Sequence, residues 1–207
     1  MPQVTIEAVE TVGERTVALE LETPDGFDAE PGQFLLIRAT VDGVEETGYY
    51  TISSPDTDGT MEVTVEYVPE GTLAPWLAER RPGDTIEVEG PFGDVRYTGE
   101  GSVVILAEGP GIGPAVGIAE RARATDHDAT VVFWGRDPPH RDRLDALETD
   151  GATVLLVESL DEAADTLAAA GDATVYVFGF ESFVRDAKTV AGAAGVDTLR
   201  AESFGSR

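Results

Sequence analysis

The sequence S-V-V-I-L-A-E-G-P-G-I-G-P-A-V-G-I-A-E, residues 102–120, predicts a strand, a glycine turn and a helix in succession. Its apolar run Val103–Leu106 is typical of a strand buried on both faces. Three residues of the turn lack a Cβ and let a ligand approach the main chain closely: Gly109, Gly111 and Gly113. Pro114 suits the first turn of a helix, whose free N–H groups favour an anion. The stretch therefore predicts a phosphate site or, as the alternative, a glycine-rich turn without a ligand.

The rest of the second half repeats this alternation of apolar runs and alanine-rich segments. The further runs are T-V-V-F-W, T-V-L-L-V, T-V-Y-V-F and V-D-T-L, and the helical segments lie near 114–124, 139–148, 160–170 and 181–194. This order is typical of a parallel sheet with helices on both faces. Residues 101–207 are therefore expected to form an α/β domain with a five-stranded parallel sheet.

The first half has a period of two instead. In residues 61–68 and 16–22, apolar side chains alternate with Glu and Thr, as in half-buried antiparallel strands. Turn signals rich in Pro, Gly and Asp separate such segments. About six strands at this spacing predict a small closed antiparallel β-barrel over residues 1–98, with one short helix near 73–80.

The charge of the chain is strongly negative, with 40 acidic residues against 14 basic ones and a net charge of −26. The acids are spread over predicted strands, turns and helices, which argues against a disordered acidic segment. A solvated acidic shell suits a salt-rich, halophilic cytoplasm, where screening is strong. A docking surface for a basic partner is the alternative, and repulsion from phosphates disfavours nucleic-acid binding.

Neither a membrane segment nor an export signal is indicated. No stretch approaches the roughly 20 apolar residues of a membrane span, and the N-terminus M-P-Q-V-T-I-E has no basic region and no apolar signal segment. A soluble, cytoplasmic protein is expected. The absence of cysteine excludes disulfides, a thiol nucleophile and a cysteine-bound iron–sulfur cluster in this chain. His127 and His140 lack the spacing of metal ligands, so we expect both at the surface and no metal site.

Seven short motifs occur along the chain in order: P-G-Q-F at 31–34, G-Y-Y-T-I-S-S-P at 48–55, G-T-L-A-P-W-L at 71–77, G-P-F-G at 90–93, G-P-G-I-G-P at 109–114, F-W-G-R at 133–136 and A-E-S-F-G at 201–205. In this order they resemble the ferredoxin–NADP reductase family over essentially the whole chain. The resemblance implies a flavin-binding barrel followed by a domain that binds a nicotinamide nucleotide.

The resemblance also implies which residues hold the flavin, which is FAD with FMN as the alternative. Tyr50 is implied to pack on the isoalloxazine ring, and the Thr51 hydroxyl to lie near the nitrogen that accepts hydride. The ordinary interpretation of both is a strand, since Tyr and Thr favour strands. The implied flavin-binding set is Tyr50, Thr51, Ser53, Gly71, Thr72 and Leu73.

For the second domain the resemblance implies that NAD(P)H, as substrate, binds at the carboxyl ends of the strands. Phe204 would cover the flavin face that the nicotinamide must reach, with core packing as the alternative, and Arg136 would hold an adenosine phosphate, with a solvated loop arginine as the alternative. The implied nucleotide-binding set is Gly109, Gly111, Ile112, Gly113, Arg136 and Gly179. The implied catalytic set is Thr51, Glu202 and Phe204.

The function implied is a flavin-dependent oxidoreductase that passes electrons between NAD(P)H and a separate protein acceptor, such as a ferredoxin or an oxygenase component. Two rival hypotheses remain open: a flavin-binding electron-transfer or regulatory subunit without its own NAD(P)H reaction, and a non-catalytic relic. Five departures from the family's motifs favour these rival hypotheses. They are Gly48 in place of arginine, Ala74 in place of a hydroxyl residue, Glu108 and Pro110 in the glycine turn, and Phe178 in place of a cysteine.

Overall fold

The computed structural model describes residues 2–205, and its first half is a six-stranded antiparallel sheet. The strands are β1 Gln3–Gly13, β2 Thr16–Glu22, β3 Phe34–Val41, β4 Val44–Thr51, β5 Thr60–Glu66 and β6 Thr85–Phe92. Their order is β4-β3-β6-β1-β2-β5. A single bridge between Ile52 and Val63 joins the two outer strands. The predicted barrel is therefore confirmed, and its one helix is the short α1, Leu73–Ala78.

Alternation along the strands decides what the barrel encloses. In β5, Met61, Val63 and Val65 are buried, whereas Glu62 and Glu66 are only half-buried. The buried face of each strand contributes to one apolar core, in keeping with the two-residue period of a strand.

The second half is a five-stranded parallel sheet, as predicted, and its strand order is β11-β10-β7-β8-β9. The strands are β7 Val103–Ala107, β8 Ala129–Trp134, β9 Thr153–Val157, β10 Thr174–Gly179 and β11 Leu199–Ser203. The helices are α2 Ile112–Ala124, α3 Arg141–Thr149, α4 Ala164–Ala168 and α5 Glu181–Ala193. The last strand begins at Leu199 and not within V-D-T, because the chain turns after α5 through Gly195, at a φ of 80°. No helix among residues 2–205 has the length and apolar character needed to cross a membrane.

The two halves meet along an interdomain seam, where α2 and α3 pack against β5 and residues 53–54. A Cβ at Gly113 would lie 2.5 Å from Thr64 Oγ1, and one at Gly117 would lie 2.7 Å from the Ser53 carbonyl oxygen. Glycine is therefore required at these two positions so that the helix can approach the barrel.

Arg143 of α3 joins three parts of the seam. Its guanidinium donates to Glu62 of β5 and to Glu120 of α2, both at 2.6 Å, and to the Ser53 carbonyl oxygen at 2.6 Å. Burial by itself would lower the pKa of Arg143, but Glu120 and Glu62 raise that pKa above its usual range. The charged arginine therefore holds the helices on the barrel.

His140 also belongs to the seam, which corrects the expectation that it lies at the surface. Its side chain is buried, and its Nε2 lies 2.7 Å from Thr64 Oγ1. Burial, together with the Arg143 charge, lowers the pKa of His140 to about 3. The imidazole is therefore neutral at the interface.

Candidate active site

An aromatic groove of about 550 Å³ lies between the barrel and the end of the chain. Its walls come from β3, β4 and β6 on one side and from the segment after β11 on the other. Phe34 lies edge-to-face with Tyr49 at 5.5 Å and tilted against Phe92 at 6.0 Å. The residues that line the aromatic groove are Phe34, Tyr49, Thr51, Phe92, Glu202, Ser203, Phe204 and Gly205.

A second space of about 310 Å³, the helix-side groove, adjoins the first one. Tyr49, Thr51 and Phe204 line both grooves. The helix-side groove continues past Tyr50 and Ala74, and its other lining residues are Thr64, Glu66, Tyr67, Val68, Gly71, Pro110 and Phe180. The end of β4, the start of α1 and the glycine turn thus converge on one depression.

The position of the Tyr50 ring depends on Gly48, the residue that replaces the family's arginine. A Cβ at Gly48 would lie 2.9 Å from Cε2 of the Tyr50 ring and 3.2 Å from Leu73 Cδ2. The ring therefore lies where the side chain of residue 48 would begin. Burial raises the pKa of Tyr50 to about 12, so its hydroxyl remains protonated at neutral pH.

Thr51 and Glu202 bring a hydroxyl and a carboxyl to the same groove. Thr51 is buried at the end of β4, opposite Phe34 of β3. Burial, with a smaller contribution from the negative charge of Asp94, raises the pKa of Glu202 above its usual range. The expected catalytic residues Thr51, Glu202 and Phe204 therefore line one space.

The residues predicted to bind the flavin do not all lie in the same place. Gly71 and Thr72 are exposed beside the groove, whereas Leu73 is buried in the barrel core and offers its backbone alone. Ser53 is fully buried, and its hydroxyl donates to Glu62 at 2.7 Å. That Ser53 contacts the cofactor stays a prediction, and its side chain lies in the interdomain seam.

The nucleotide contacts predicted for the glycine turn also stay predictions, and the structure shows what the turn packs against. A Cβ at Gly111 would lie 2.2 Å from the Phe178 carbonyl oxygen, so this glycine permits contact between two backbones of the protein. Ile112 is fully buried, and Gly113 faces Thr64. Only Gly109, with a φ of 54°, and Pro110 remain partly exposed in the turn. Within the turn, Gly109 and Pro110 are therefore the residues that a ligand can approach.

Gly179 and Glu108 form a compact unit behind the turn. A Cβ at Gly179 would lie 2.6 Å from Phe183 and 3.1 Å from the Glu108 Cβ, so the absence of a side chain at Gly179 serves packing. The Glu108 carboxylate accepts a hydrogen bond from the Phe180 backbone N–H at 3.2 Å. Glu108, which departs from the family, thus supports the start of α5.

A strand-end cleft of about 540 Å³ opens at the carboxyl edge of the parallel sheet. Arg136 projects there with 79% of its side chain exposed and forms an ion pair with Glu158. Gly109 and Glu66 also line the cleft, and Glu66 is shared with the helix-side groove. The other lining residues are Glu14, Thr16, Glu108, Phe133, Trp134, Gly135, Asp137 and Pro139.

Three aromatic residues of the site were not among the residues predicted from sequence. Phe34 and Phe92 were present in the quoted motifs P-G-Q-F and G-P-F-G without a role assigned to the side chains. Tyr49 lines both grooves and is 69% exposed. The period of two was the available signal, since it places Tyr49 on the same strand face as Thr51.

Comparison with known proteins finds relatives among flavin-binding oxidoreductases. Residues 3–97 match the family described as "Oxidoreductase FAD-binding domain". The probable dihydroorotate dehydrogenase B (NAD(+)) electron transfer subunit of Methanopyrus kandleri is 34% identical over 131 residues, which are 63% of this chain and 47% of that protein. The chain thus spans about half the length of this curated relative.

Two solved structures share the fold over 98% of the chain. The flavohem-like FAD/NAD-binding domain of nitric oxide dioxygenase from Vibrio cholerae has a TM-score of 0.86 at 19% identity, with 98% of that chain covered. The ferredoxin reductase in carbazole 1,9a-dioxygenase has a TM-score of 0.78 at 26% identity, with 66% of that chain covered. Residues 3–97 are therefore an FAD-binding oxidoreductase domain, and the chain as a whole is similar to the ferredoxin–NADP reductase-like family.

The residues of the two grooves fit an FAD ring better than its phosphates. Aromatic side chains and Thr51 provide flat apolar walls with a polar edge, as flavin-sized sites require. Among residues 2–205, neither groove has a lysine or arginine in its lining, and Gly48 supplies no cation. The isoalloxazine would lie along Tyr50, Thr51 and Phe204, and the phosphates would lie toward Gly71 and Thr72.

Proposed function

We propose that this chain is a flavin reductase that takes hydride from NAD(P)H and passes electrons to a separate redox protein. Residues 1–98 would carry FAD, and residues 101–207 would receive the nucleotide. Ferredoxins and oxygenase components are the acceptor classes that the relatives suggest, since one relative is a ferredoxin reductase and another is the reductase subunit of a glycine betaine monooxygenase.

One observation carries the proposal: neighbouring spaces of the site share lining residues. The aromatic and helix-side grooves share Phe204, and the helix-side groove shares Glu66 with the strand-end cleft. Pro110 and Gly109 lie side by side between the last two spaces. A ring in the grooves and a dinucleotide in the cleft would therefore meet beside Phe204.

The side chains of the chain itself position and shield the reactants. The Phe204 backbone N–H donates to Gly179 at 3.0 Å, and its ring lies edge-to-face with Phe180 at 6.5 Å. Phe204 is thus held over the groove, where it would exclude water until the nicotinamide displaces it. Thr51 would offer its hydroxyl to the ring. A bound flavin supplies the exchange between hydride transfer and single-electron transfer, which no side chain provides.

Electron delivery to a separate acceptor is supported by the lack of cysteine in these residues, which provide no ligands for an iron–sulfur cluster. Tyr49 is 69% exposed where it lines the aromatic groove, so a partner could approach the ring from this side. The net charge of −26 supports action in a salt-rich cytoplasm, where screening relieves repulsion between acidic surfaces.

A second candidate function is supported by the strand-end cleft. Arg136 is paired with Glu158 there, and several other carboxylates line the space. If this cleft takes no dinucleotide, the chain acts as a flavin-binding electron-transfer or regulatory subunit that receives electrons from another protein.

The test begins with the absorbance spectrum of the protein purified in high salt. Flavin absorbance is expected, and it should bleach when NADH or NADPH is added without oxygen. Flavin that stays oxidised with both donors would support the subunit. Purified and reconstituted protein that takes up no FAD or FMN would contradict both functions and leave the relic hypothesis.

A further inference from the structure

We infer that the strand-end cleft selects NADH over NADPH, and this inference rests on the proposed function. The two nucleotides differ by the 2′-phosphate of the adenosine ribose. A phosphate monoester carries a charge of about −1.5 to −2 at neutral pH. The selection therefore depends on the charge that the cleft presents to that group.

The only cation in the lining of this cleft, among the described residues, is Arg136. The acidic residues of the lining are Glu14, Glu66, Glu108, Asp137 and Glu158. Glu66 and Glu108 have other interactions, but the remaining three acids against one base still leave the cleft negative, and low-dielectric walls strengthen the field inside a cleft. A dianionic phosphate would therefore be repelled more strongly than a neutral hydroxyl.

Arg136 is also engaged before any ligand arrives. It follows β8 directly and pairs with Glu158, which follows β9, the neighbouring strand. The pair uses the Nε of the guanidinium and therefore competes for one of the edges that could bind a phosphate in a bidentate way. An exposed ion pair contributes about 0–1 kcal/mol, so the pair alone would not exclude the phosphate. The surplus of carboxylates decides the preference, and Glu158 is the one that acts on Arg136.

The backbone around Glu158 is fixed, whereas its side chain is not. Trp134 Nε1 donates to the Glu158 carbonyl oxygen at 2.9 Å, and the Glu158 N–H donates to Glu162 at 3.0 Å. The Glu158 side chain is 58% exposed. A carboxylate presented in this way at a strand end suits a ribose hydroxyl, which can donate to it.

The test compares equilibrium binding of NAD⁺ and NADP⁺ to the full chain by titration calorimetry at one KCl concentration. The oxidised nucleotides report binding without any reaction. NAD⁺ is expected to bind at least about tenfold more tightly, which corresponds to 1.4 kcal/mol. Glu158→Gln should release Arg136 and reduce this ratio about threefold or more, mainly through tighter NADP⁺ binding.

Glu148→Gln is the matched control, because it removes the same charge from an exposed position at the end of α3, outside the cleft. Its binding ratio should equal that of the unmodified chain. The inference is overturned if NADP⁺ binds as tightly as NAD⁺, or if the two variants behave alike. Failure of both nucleotides to bind would overturn it as well and, with flavin that neither donor bleaches, would also remove the proposed reductase function.

Discussion

Thr51 occupies the point where β4 ends and both grooves begin. Its side chain is buried and lies opposite Phe34 across the β3–β4 pair. Tyr50, the preceding residue, packs against the barrel core and over Gly48. The ring contact and the hydroxyl thus come from adjacent residues, and their contributions can be separated by substitution.

Thr51→Ala is expected to slow anaerobic reduction of the flavin by NADH about tenfold, with flavin content nearly unchanged. The reason is that a hydroxyl beside the reacting nitrogen contributes to transfer more than to binding. Thr51→Ser, which keeps the hydroxyl, is the control. Stopped-flow absorbance measures the rate, and equal rates for the three proteins would contradict the assignment.

Gly111→Ala is expected to destabilise the fold by about 2 kcal/mol or more, because the new Cβ would lie 2.2 Å from the Phe178 carbonyl oxygen. Gly192→Ala is the control, since nothing lies within 4 Å of a Cβ at that helix position. It should stabilise the protein by about 0.5–1 kcal/mol through helix propensity. Denaturant unfolding measures both, and a neutral Gly111→Ala variant would refute the packing role.

At the scale of elements, the seam decides which residues remain available for ligands. The glycines of α2 pack against Ser53 and Thr64 where the helix meets the barrel. Arg143 binds Glu62 and Glu120 across that contact. The strand-end cleft and the grooves are therefore positioned by contacts that are largely buried between the two halves.

Arg143→Met is expected to lower the free energy of unfolding by about 3 kcal/mol, because it leaves Glu62 and Glu120 close together without their cation. Arg141→Met is the control on the same helix. Arg141 forms an exposed pair with Asp145, and its loss should cost less than about 1 kcal/mol. Similar losses in urea titrations of the two variants would show that the seam is not held by Arg143.

The seam should also give the protein a pH dependence through His140. Its folded pKa of about 3 lies below the ordinary value of 6.5, so the unfolded chain binds the proton more readily. The effect of His140 on the free energy of unfolding is therefore most favourable above pH 6.5 and is lost progressively as the pH falls toward 3. Stability should decrease by about 1 kcal/mol per pH unit between about pH 6 and 5.

His140→Gln should remove most of that slope, and His127→Gln, at a half-exposed position outside the seam, should keep it. Denaturant unfolding at several pH values measures the slopes. The same slope in His140→Gln as in the unmodified chain would assign the acid sensitivity to other groups.

At the scale of the whole molecule, charge is the dominant property. Forty acidic residues against 14 basic ones give self-repulsion that disfavours the compact state. Many of the few arginines are engaged in ion pairs, including Arg123 with Asp128 and Asp150. Counter-ions from solution must therefore supply most of the neutralisation.

The melting temperature is expected to rise by about 10 °C or more from dilute to molar KCl, because the Debye length falls to about 3 Å at 1 M. Sucrose at matched osmolality is the control, since it favours compact states without screening charge. Calorimetry in both series measures the effect. A flat or falling melting temperature in KCl would contradict adaptation to salt.

The sequence by itself determined the two-part fold, because the change of period from two to an alternation of strands and helices is a local property of the residues. It also indicated Tyr50, Thr51 and Phe204, since the family's motifs lie at element ends where ligands bind. Only the tertiary structure decided that Ser53, Gly111, Gly113 and Gly179 serve packing. That decision depends on atoms that approach from elsewhere in the fold, such as the Phe178 carbonyl oxygen at Gly111 and the Thr64 side chain at Gly113, and no local pattern of residues specifies such an approach.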